Sequence, residues 1–305
     1  MAEPLRHLLD IESLTRAQLE ALLRRAHEIK ARPDRFHNRL DGSMLVNLFF
    51  EPSTRTRLSF EIGARRLGMQ VVNFTTAGSS VSKGETLLDS YRTVQAMGPE
   101  VIVLRHSDRG SALRLAEDAA PGVHLVNAGD GSHAHPSQAL LDMMTLQEQF
   151  EDLSEVCVLI AGDLRHSRVT HSDVAAMRTL GVGEIRLASP PQMRPAAETA
   201  RGTKLFDSLD EALDGVNVVM MLRIQNERLS DAEIPEPLTY HRDWGLTSQR
   251  LAKAAPGCRV MHPGPMNRGV EIDSEVVDGP QSLILEQVTN GVYARMALLL
   301  ALLEP

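Results

Sequence analysis

Aromatic residues and cysteines are scarce in this chain, and no run of basic residues occurs. Aromatics make up 4% of the sequence and the formal net charge is −8. The stacking surfaces and positive stripe that nucleic acids require are therefore both missing. The same acidic balance disfavours an anionic membrane surface. The two cysteines, Cys157 and Cys258, lie in or beside apolar strand-like runs. They are expected to be buried free thiols, as suits a cytoplasmic chain, and no Cys/His spacing of a zinc site is present. No apolar stretch reaches the roughly 18 residues of a membrane span. The last helical pattern, Ser282–Leu303, comes nearest, but Glu286, Asn290 and Arg295 interrupt it. Met1 to Arg6 carry no apolar segment of the kind an export signal needs. A Gly-x-x-x-x-Gly-Lys-Ser/Thr loop and a Gly-x-Ser-x-Gly elbow are also lacking.

What is there is globular: 43% hydrophobic and 24% charged residues over 305 positions, enough for two ordinary domains. Helical periodicity runs over Leu8–Lys30, with Leu14, Leu19, Leu22, Leu23 and Ile29 as its stripe and Thr15 as a candidate cap. Beyond a linker at 31–42, strand candidates Met44–Phe50, Gln70–Phe74, Glu100–Leu104 and Val123–Asn127 alternate with helical patterns at Thr54–Leu67, Glu85–Met97 and Ser111–Ala119. Pro136–Phe150 reads as a helix with proline in its first turn. A second series holds strands Val156–Ala161, Ile185–Ala188, Asn217–Leu222 and Arg259–His262, with a helix at Arg168–Leu180. The final helix has no strand to follow and could cross back onto the first half. These alternations predict an α/β chain of two doubly wound parallel-sheet domains, 1–136 with 284–305 and 137–283, with the active site in the cleft between them.

The most informative segment is Phe50-Glu51-Pro52-Ser53-Thr54-Arg55-Thr56-Arg57. An apolar strand ends there and a helix begins. First-turn N–H groups and the helix dipole favour an anion, and hydroxyl and guanidinium donors on the same turn make a phosphate site. The plain alternative is a capped helix with a solvated basic face. Three hydroxyl residues and two arginines in five positions exceed what a cap needs.

In open α/β sheets ligands lie beyond the carboxyl ends of the strands. Here those ends carry Ser53–Thr56, Arg105-His106, the run Gly129–Gln138, the run Gly162–Arg168, Arg223-Ile224-Gln225 and His262-Pro263-Gly264-Pro265. Taken singly, Arg105 and Arg168 are surface ion pairs, Gly-Asp-Gly and Pro-Gly-Pro are turns, and Lys83 is a solvated loop lysine. Together they place polar and cationic groups at almost every strand end. Glu51 is expected to pair with a nearby arginine, and His106 to be structural.

These residues resemble the carbamoyltransferases, the aspartate/ornithine carbamoyltransferase family. The resemblance runs from the first helix to Gly291-Val292-Tyr293-Ala294-Arg295. Its most specific pieces are the segment Phe50–Glu61, His135-Pro136-Ser137-Gln138 and His262-Pro263-Gly264-Pro265. Both branches of the family share Ser-Thr-Arg-Thr-Arg and His-Pro-x-Gln. His-Pro-Gly-Pro in place of His-Cys-Leu-Pro, the lack of an Asp-x-x-x-Ser-Met-Gly loop, and Arg223-x-Gln225 resemble the aspartate-using catalytic chains. Two carboxylates on the acceptor also suit Arg168 and Arg223, which an ornithine amine would not.

The resemblance implies roles. Ser53, Thr54, Arg55 and Thr56 would hold the phosphate of carbamoyl phosphate; Thr56, Arg105 and His135 would donate to its carbonyl oxygen. Gln138 and the backbone of Pro263, Gly264 and Pro265 would orient its amide. Arg168, Arg223 and Gln225 would bind L-aspartate, with Lys83 and one of Ser79 and Ser80 entering from a neighbouring subunit of a homotrimer with shared active sites. The amine would attack the carbonyl carbon, phosphate would leave, and N-carbamoyl-L-aspartate would enter pyrimidine synthesis. Arg55, Thr56, Arg105 and His135 would be the catalytic group. No metal or organic cofactor is implied, and the sequence is silent on regulatory or dihydroorotase chains as further partners. Rival readings are a carbamoyltransferase with another amine acceptor such as ornithine, a metal hydrolase using His133-Ala134-His135, and a catalytically silent homologue in an assembly.

Overall fold

The computed structural model describes residues 4–74, 84–225 and 236–304. The chain divides into two compact units, Met1–Met144 with Val288–Pro305, and Thr145–Gln287. The first unit contains α1 (Arg16–Ala31), β1 (Met44–Phe49), α2 (Thr54–Arg66), β2 (Gln70–Phe74), α3 (Leu87–Gln95), β3 (Val101–His106), α4 (Ser111–Ala116), β4 (His124–Asp130) and most of α5 (Pro136–Gln149). The second contains β5 (Cys157–Ala161), α6 (Arg168–Leu180), β6 (Glu184–Ala188), α7 (Ala197–Ala200), β7 (Lys204–Phe206), α8 (Leu209–Ala212), β8 (Val218–Met221), α9 (Pro237–Trp244), α10 (Ser248–Leu251), β9 (Arg259–Met261) and α11 (Ser274–Val277). Helix α12 (Ile284–Leu303), like α5, carries residues of both units. The divisions therefore fall inside these two helices rather than at Pro136 and Ile284.

Both sheets are parallel throughout, in the orders β2-β1-β3-β4 and β7-β6-β5-β8-β9. The predicted class, two parallel-sheet α/β domains, is the one observed. Central strands covered on both faces need continuous apolar runs, and Val101–Leu104 and Cys157–Ala161 are buried along their whole length. Burying each such aliphatic side chain contributes about 1.5–3 kcal/mol. Both cysteines are free thiols within the second unit's core, as expected, and burial pushes the Cys258 thiol up to about 12. Among the described residues no helix is long and apolar enough to cross a membrane.

One expectation is corrected at the N-terminal side. The helical stripe read from Leu8 begins only at Arg16, where Thr15 forms a capping box: Gln18 N donates to Thr15 Oγ1 at 3.2 Å and Thr15 N donates to Gln18 Oε1 at 2.9 Å. Leu8 is instead extended along β4. Its N donates to Leu125 O at 3.0 Å and its carbonyl accepts from Asn127 N at 2.8 Å. A bare edge strand presents unpaired backbone groups, and this strap covers them. The other sheet has the same device at β9, where Val260 N donates to Gln281 O and Leu283 N to Val260 O. Sequence reading also passed over β7 and the short helices α7, α8, α9, α10 and α11, which are too brief to show a clear period.

Candidate functional site

In the first sheet the chain leaves β1 towards β2 on one side and returns to β3 on the other, so the order reverses between β1 and β3. That is where a parallel sheet opens a crevice. Ser53–Thr56 follow β1 and Arg105 ends β3. Ser53 is the N-cap residue of α2, and its carbonyl takes the first helical bond from Arg57 N at 3.2 Å. Its side chain makes no capping hydrogen bond. Thr56 is buried, whereas Thr54 and Arg55 are exposed. Ser59 Oγ donates back to the Arg55 and Thr56 carbonyls at 2.8 and 3.0 Å, which steadies this turn.

Arg105 is held from two sides. Its Nη1 donates to Ala128 O at 3.1 Å, and its Nε lies 3.6 Å from Glu51 Oε2. Glu51 is thus an arginine partner, as read from the sequence. His106 Nδ1 accepts from Asp108 N at 3.0 Å and its ring meets Phe50 edge-on at 5.2 Å, so it packs rather than reaching outward.

His135 and Gln138 sit at the start of α5, both buried. The loop that delivers them is built on Asn127 and Asp130. Asn127 Nδ2 donates to Leu9 O and to Asp130 Oδ1, and its Oδ1 accepts from Gly129 N. Asp130 also accepts from Ala134 N at 3.1 Å and from Gly110 N at 2.8 Å, and pairs with His133 Nδ1 at 3.2 Å. Burial opposes ionisation of Asp130, but the bonds from His133 and Asn127 prevail and hold its carboxyl below the usual range. Its hydrogen bond raises His133 in return. Gly131, at φ +54°, passes so close to Ser107 that a Cβ would lie 2.8 Å from its carbonyl oxygen. Sequence reading took Gly-Asp-Gly as a turn and missed that its acid is the hub; a lone acid between glycines after a strand was the available sign.

The second sheet reverses order between β5 and β8. Gly162 (φ +128°) lets the exits of these strands touch: a Cβ there would stand 2.3 Å from Leu222 O. Asp163, fully buried, accepts from His166 N and Nδ1 at 3.2 and 2.9 Å and from Gln225 N at 3.3 Å. Gln225 Nε2 donates to His166 O at 2.9 Å. Two loops are thereby stitched into one. Arg168 opens α6 behind the cap Ser167, whose Oγ accepts from Thr170 N at 3.3 Å. Arg168 is 7% exposed, and Arg223 is half-buried just after β8, with Nη1 3.4 Å from Ile224 O. Arg168 thus follows β5 at the start of α6 and Arg223 and Gln225 follow its neighbour β8, with the Gln225 amide engaged in holding the loop.

After β9, Gly264 N donates to His262 Nδ1 at 2.8 Å, which leaves the proton of a neutral imidazole on Nε2, facing Glu271 Oε1 at 3.1 Å. Asn267 N donates to the same oxygen at 2.6 Å, so His262 and Glu271 shape the turn Pro263–Pro265. Lys83, Ser79 and Ser80 lie outside the described residues. The residues to which motif reading gave no supporting role are Asn127, Asp142, Asp163, His262, Glu271 and Arg295.

Comparison with known proteins bears on the whole length. Residues 6–148 match the model of the aspartate/ornithine carbamoyltransferase carbamoyl-P binding domain, and residues 154–302 that of the Asp/Orn binding domain. Aspartate transcarbamoylase from Trypanosoma cruzi, solved with carbamoyl phosphate and aspartate, is 29% identical, with 97% of this chain and 96% of that one covered and a TM-score of 0.87. Ornithine carbamoyltransferase from Thermus thermophilus is 26% identical over 99% of this chain and 100% of that one, also at 0.87. With both halves matched and both strand-end sets in place, the chain belongs to the aspartate/ornithine carbamoyltransferase family.

Proposed function

We propose that this carbamoyltransferase uses L-aspartate as its acceptor and releases N-carbamoyl-L-aspartate, a precursor of pyrimidines. The observation that carries the reading is cationic: Arg168 opens the helix that follows β5, and Arg223 follows β8, the strand paired with β5. Two guanidiniums match two carboxylates by bidentate bonds. The acid at the same place, Asp163, is already engaged by His166 and Gln225 and so does not offer itself to an ornithine amine. The Trypanosoma aspartate enzyme, solved with both substrates, supports the choice, while the ornithine enzymes of similar identity supply the rival outcome.

In the proposed reaction, Ser53, Thr54, Arg55 and Thr56 take the phosphate of carbamoyl phosphate. Thr56, Arg105 and His135 donate towards the carbonyl oxygen, where charge grows as the amine attacks. Each such donor is typically worth about 2.7–4 kcal/mol of barrier. Phosphate is a good leaving group, so no protein nucleophile is needed. Gln138 and the Pro263–Pro265 backbone orient the carbamoyl amide. The site is shared within a homotrimer. Leu58 and Ile62 on α2, with Val72 on the edge strand β2, are exposed apolar side chains suited to a subunit contact. The segment holding Ser79, Ser80 and Lys83 follows that strand directly.

The test is a carbamoylation assay with aspartate and ornithine side by side. Carbamoyl-aspartate is the expected product; a strong preference for ornithine overturns the acceptor assignment. Mixing Arg55→Ala chains with Lys83→Ala chains tests the shared site, since hybrid trimers regain activity only if one site draws on two chains.

A further inference from the structure

We propose that Asp142, backed by Arg295, is a positioning residue that fixes the Gln138 amide with its carbonyl end outward, and so selects an acyl phosphate bearing an NH2 group over one bearing a methyl. This rests on the carbamoyl phosphate reading above and deepens it.

Helix α5 puts Gln138 and Asp142 one turn apart on the same face. Gln138 Nε2 lies 3.2 Å from Asp142 Oδ1 and 3.1 Å from Oδ2, so one amide nitrogen faces both carboxylate oxygens. An ionised carboxylate only accepts. Turning the amide over would set its oxygen against two others, so Asp142 decides which end faces outward. That end is Oε1, an acceptor, and it suits a ligand N–H. A carbamoyl group has one there; an acetyl group has a methyl.

Asp142 is fully buried, and a buried carboxylate stays ionised only beside a counter-charge. Arg295 on α12 is the cation whose charge couples to that of Asp142. The guanidinium is buried, donates from Nη1 to Gly291 O at 2.9 Å, and lies 5.0 Å from the Phe60 ring centre. Burial lowers it to about 10 while the charge of Asp142 holds it up, so it is cationic at neutral pH. The space is kept for it: a Cβ at Gly291 would stand 2.6 Å from Nη1.

The experiment measures KM for carbamoyl phosphate and the inhibition constants of acetyl phosphate and inorganic phosphate in the full chain. Wild type is compared with Asp142→Asn, whose amide accepts or donates and no longer dictates the Gln138 orientation. That variant leaves Arg295 buried without its counter-charge. The charge-free double variant Asp142→Leu/Arg295→Met is therefore made in parallel. The expected result is a rise of about 10-fold in KM for carbamoyl phosphate. The acetyl phosphate and phosphate constants should stay within about twofold, so that the preference collapses. Retained preference in either folded variant overturns the proposal, as does a parallel loss for all three ligands, which marks a merely structural role. Wild-type protein that binds phosphate but transfers no carbamoyl group overturns this proposal and the functional reading together.

Discussion

Helices α2 and α6 both begin just beyond a central strand at the reversal point of a parallel sheet, yet their first turns are finished differently. Ser167 caps α6 with its hydroxyl; Ser53 occupies the same position on α2 and does not. The α2 turn joins backbone N–H groups with hydroxyls, a generic receiver for phosphate. The α6 turn is closed on itself and begins with Arg168, and Arg223 follows the strand paired with β5. In the proposed reading, the first half-site adds helix N–H groups to its side chains, and the second relies on side chains alone. On that reading acceptor identity would hang on a few residues, while the donor phosphate would be held by a feature common to the fold.

That contrast can be broken most sharply at the reacting group. Replacing Arg105 or His135 with Ala should lower kcat by about 100- to 1000-fold with the aspartate KM little changed. A loss confined to KM in steady-state kinetics would move these residues out of the transition state. Next in size, Arg168→Ala or Arg223→Ala should raise the aspartate KM by about 10- to 100-fold, the worth of a charge-assisted bond, and leave phosphate inhibition alone. If phosphate binding weakens equally, the two half-sites are not separable in this way.

Asp163→Ala strands the donors of His166 and Gln225. It should cost about 1–3 kcal/mol in urea unfolding and slacken aspartate binding. Smaller again, Ser167→Ala should cost about 1 kcal/mol as a lost cap, whereas Ser53→Ala should stay within about 0.5 kcal/mol while weakening phosphate. Equal costs would erase the difference between the two turns.

The smallest effect concerns pH. His133 is raised by Asp130, so its contribution is full below the ordinary histidine value and is lost as pH rises through the raised one. Asp130 is held low, so its contribution is present above the ordinary carboxylate value and is lost as pH falls through the lowered one. The stability gap between wild type and His133→Gln should therefore narrow as pH climbs upward from about 6.5. A gap that widens over that range contradicts the pairing.

The parallel sheets were legible because buried strands such as Val101–Leu104 are plain apolar runs. The turn from β1 into α2 was legible because its polar groups are contiguous. Leu8 was misread because its neighbours Ile11 and Leu14 happen to fall at helical spacing, while its partner, Val126, lies far along the chain. Asp163 and Asp142 were overlooked for a related reason. Their local partners, His166 and Gln138, carry no mark of the role, and Gln225 and Arg295 lie far along the chain.

The division inside α12 has a consequence for the order in which the protein is made. The second unit is one continuous stretch, Thr145–Gln287, and all of it exists before residue 288 is added. The first unit begins earlier but stays unfinished, because Val288–Pro305 belong to it. During synthesis the later-made unit is therefore the first with a full set of residues. Until residue 288 and those after it are joined, the chain holds one unit with all its residues and one without.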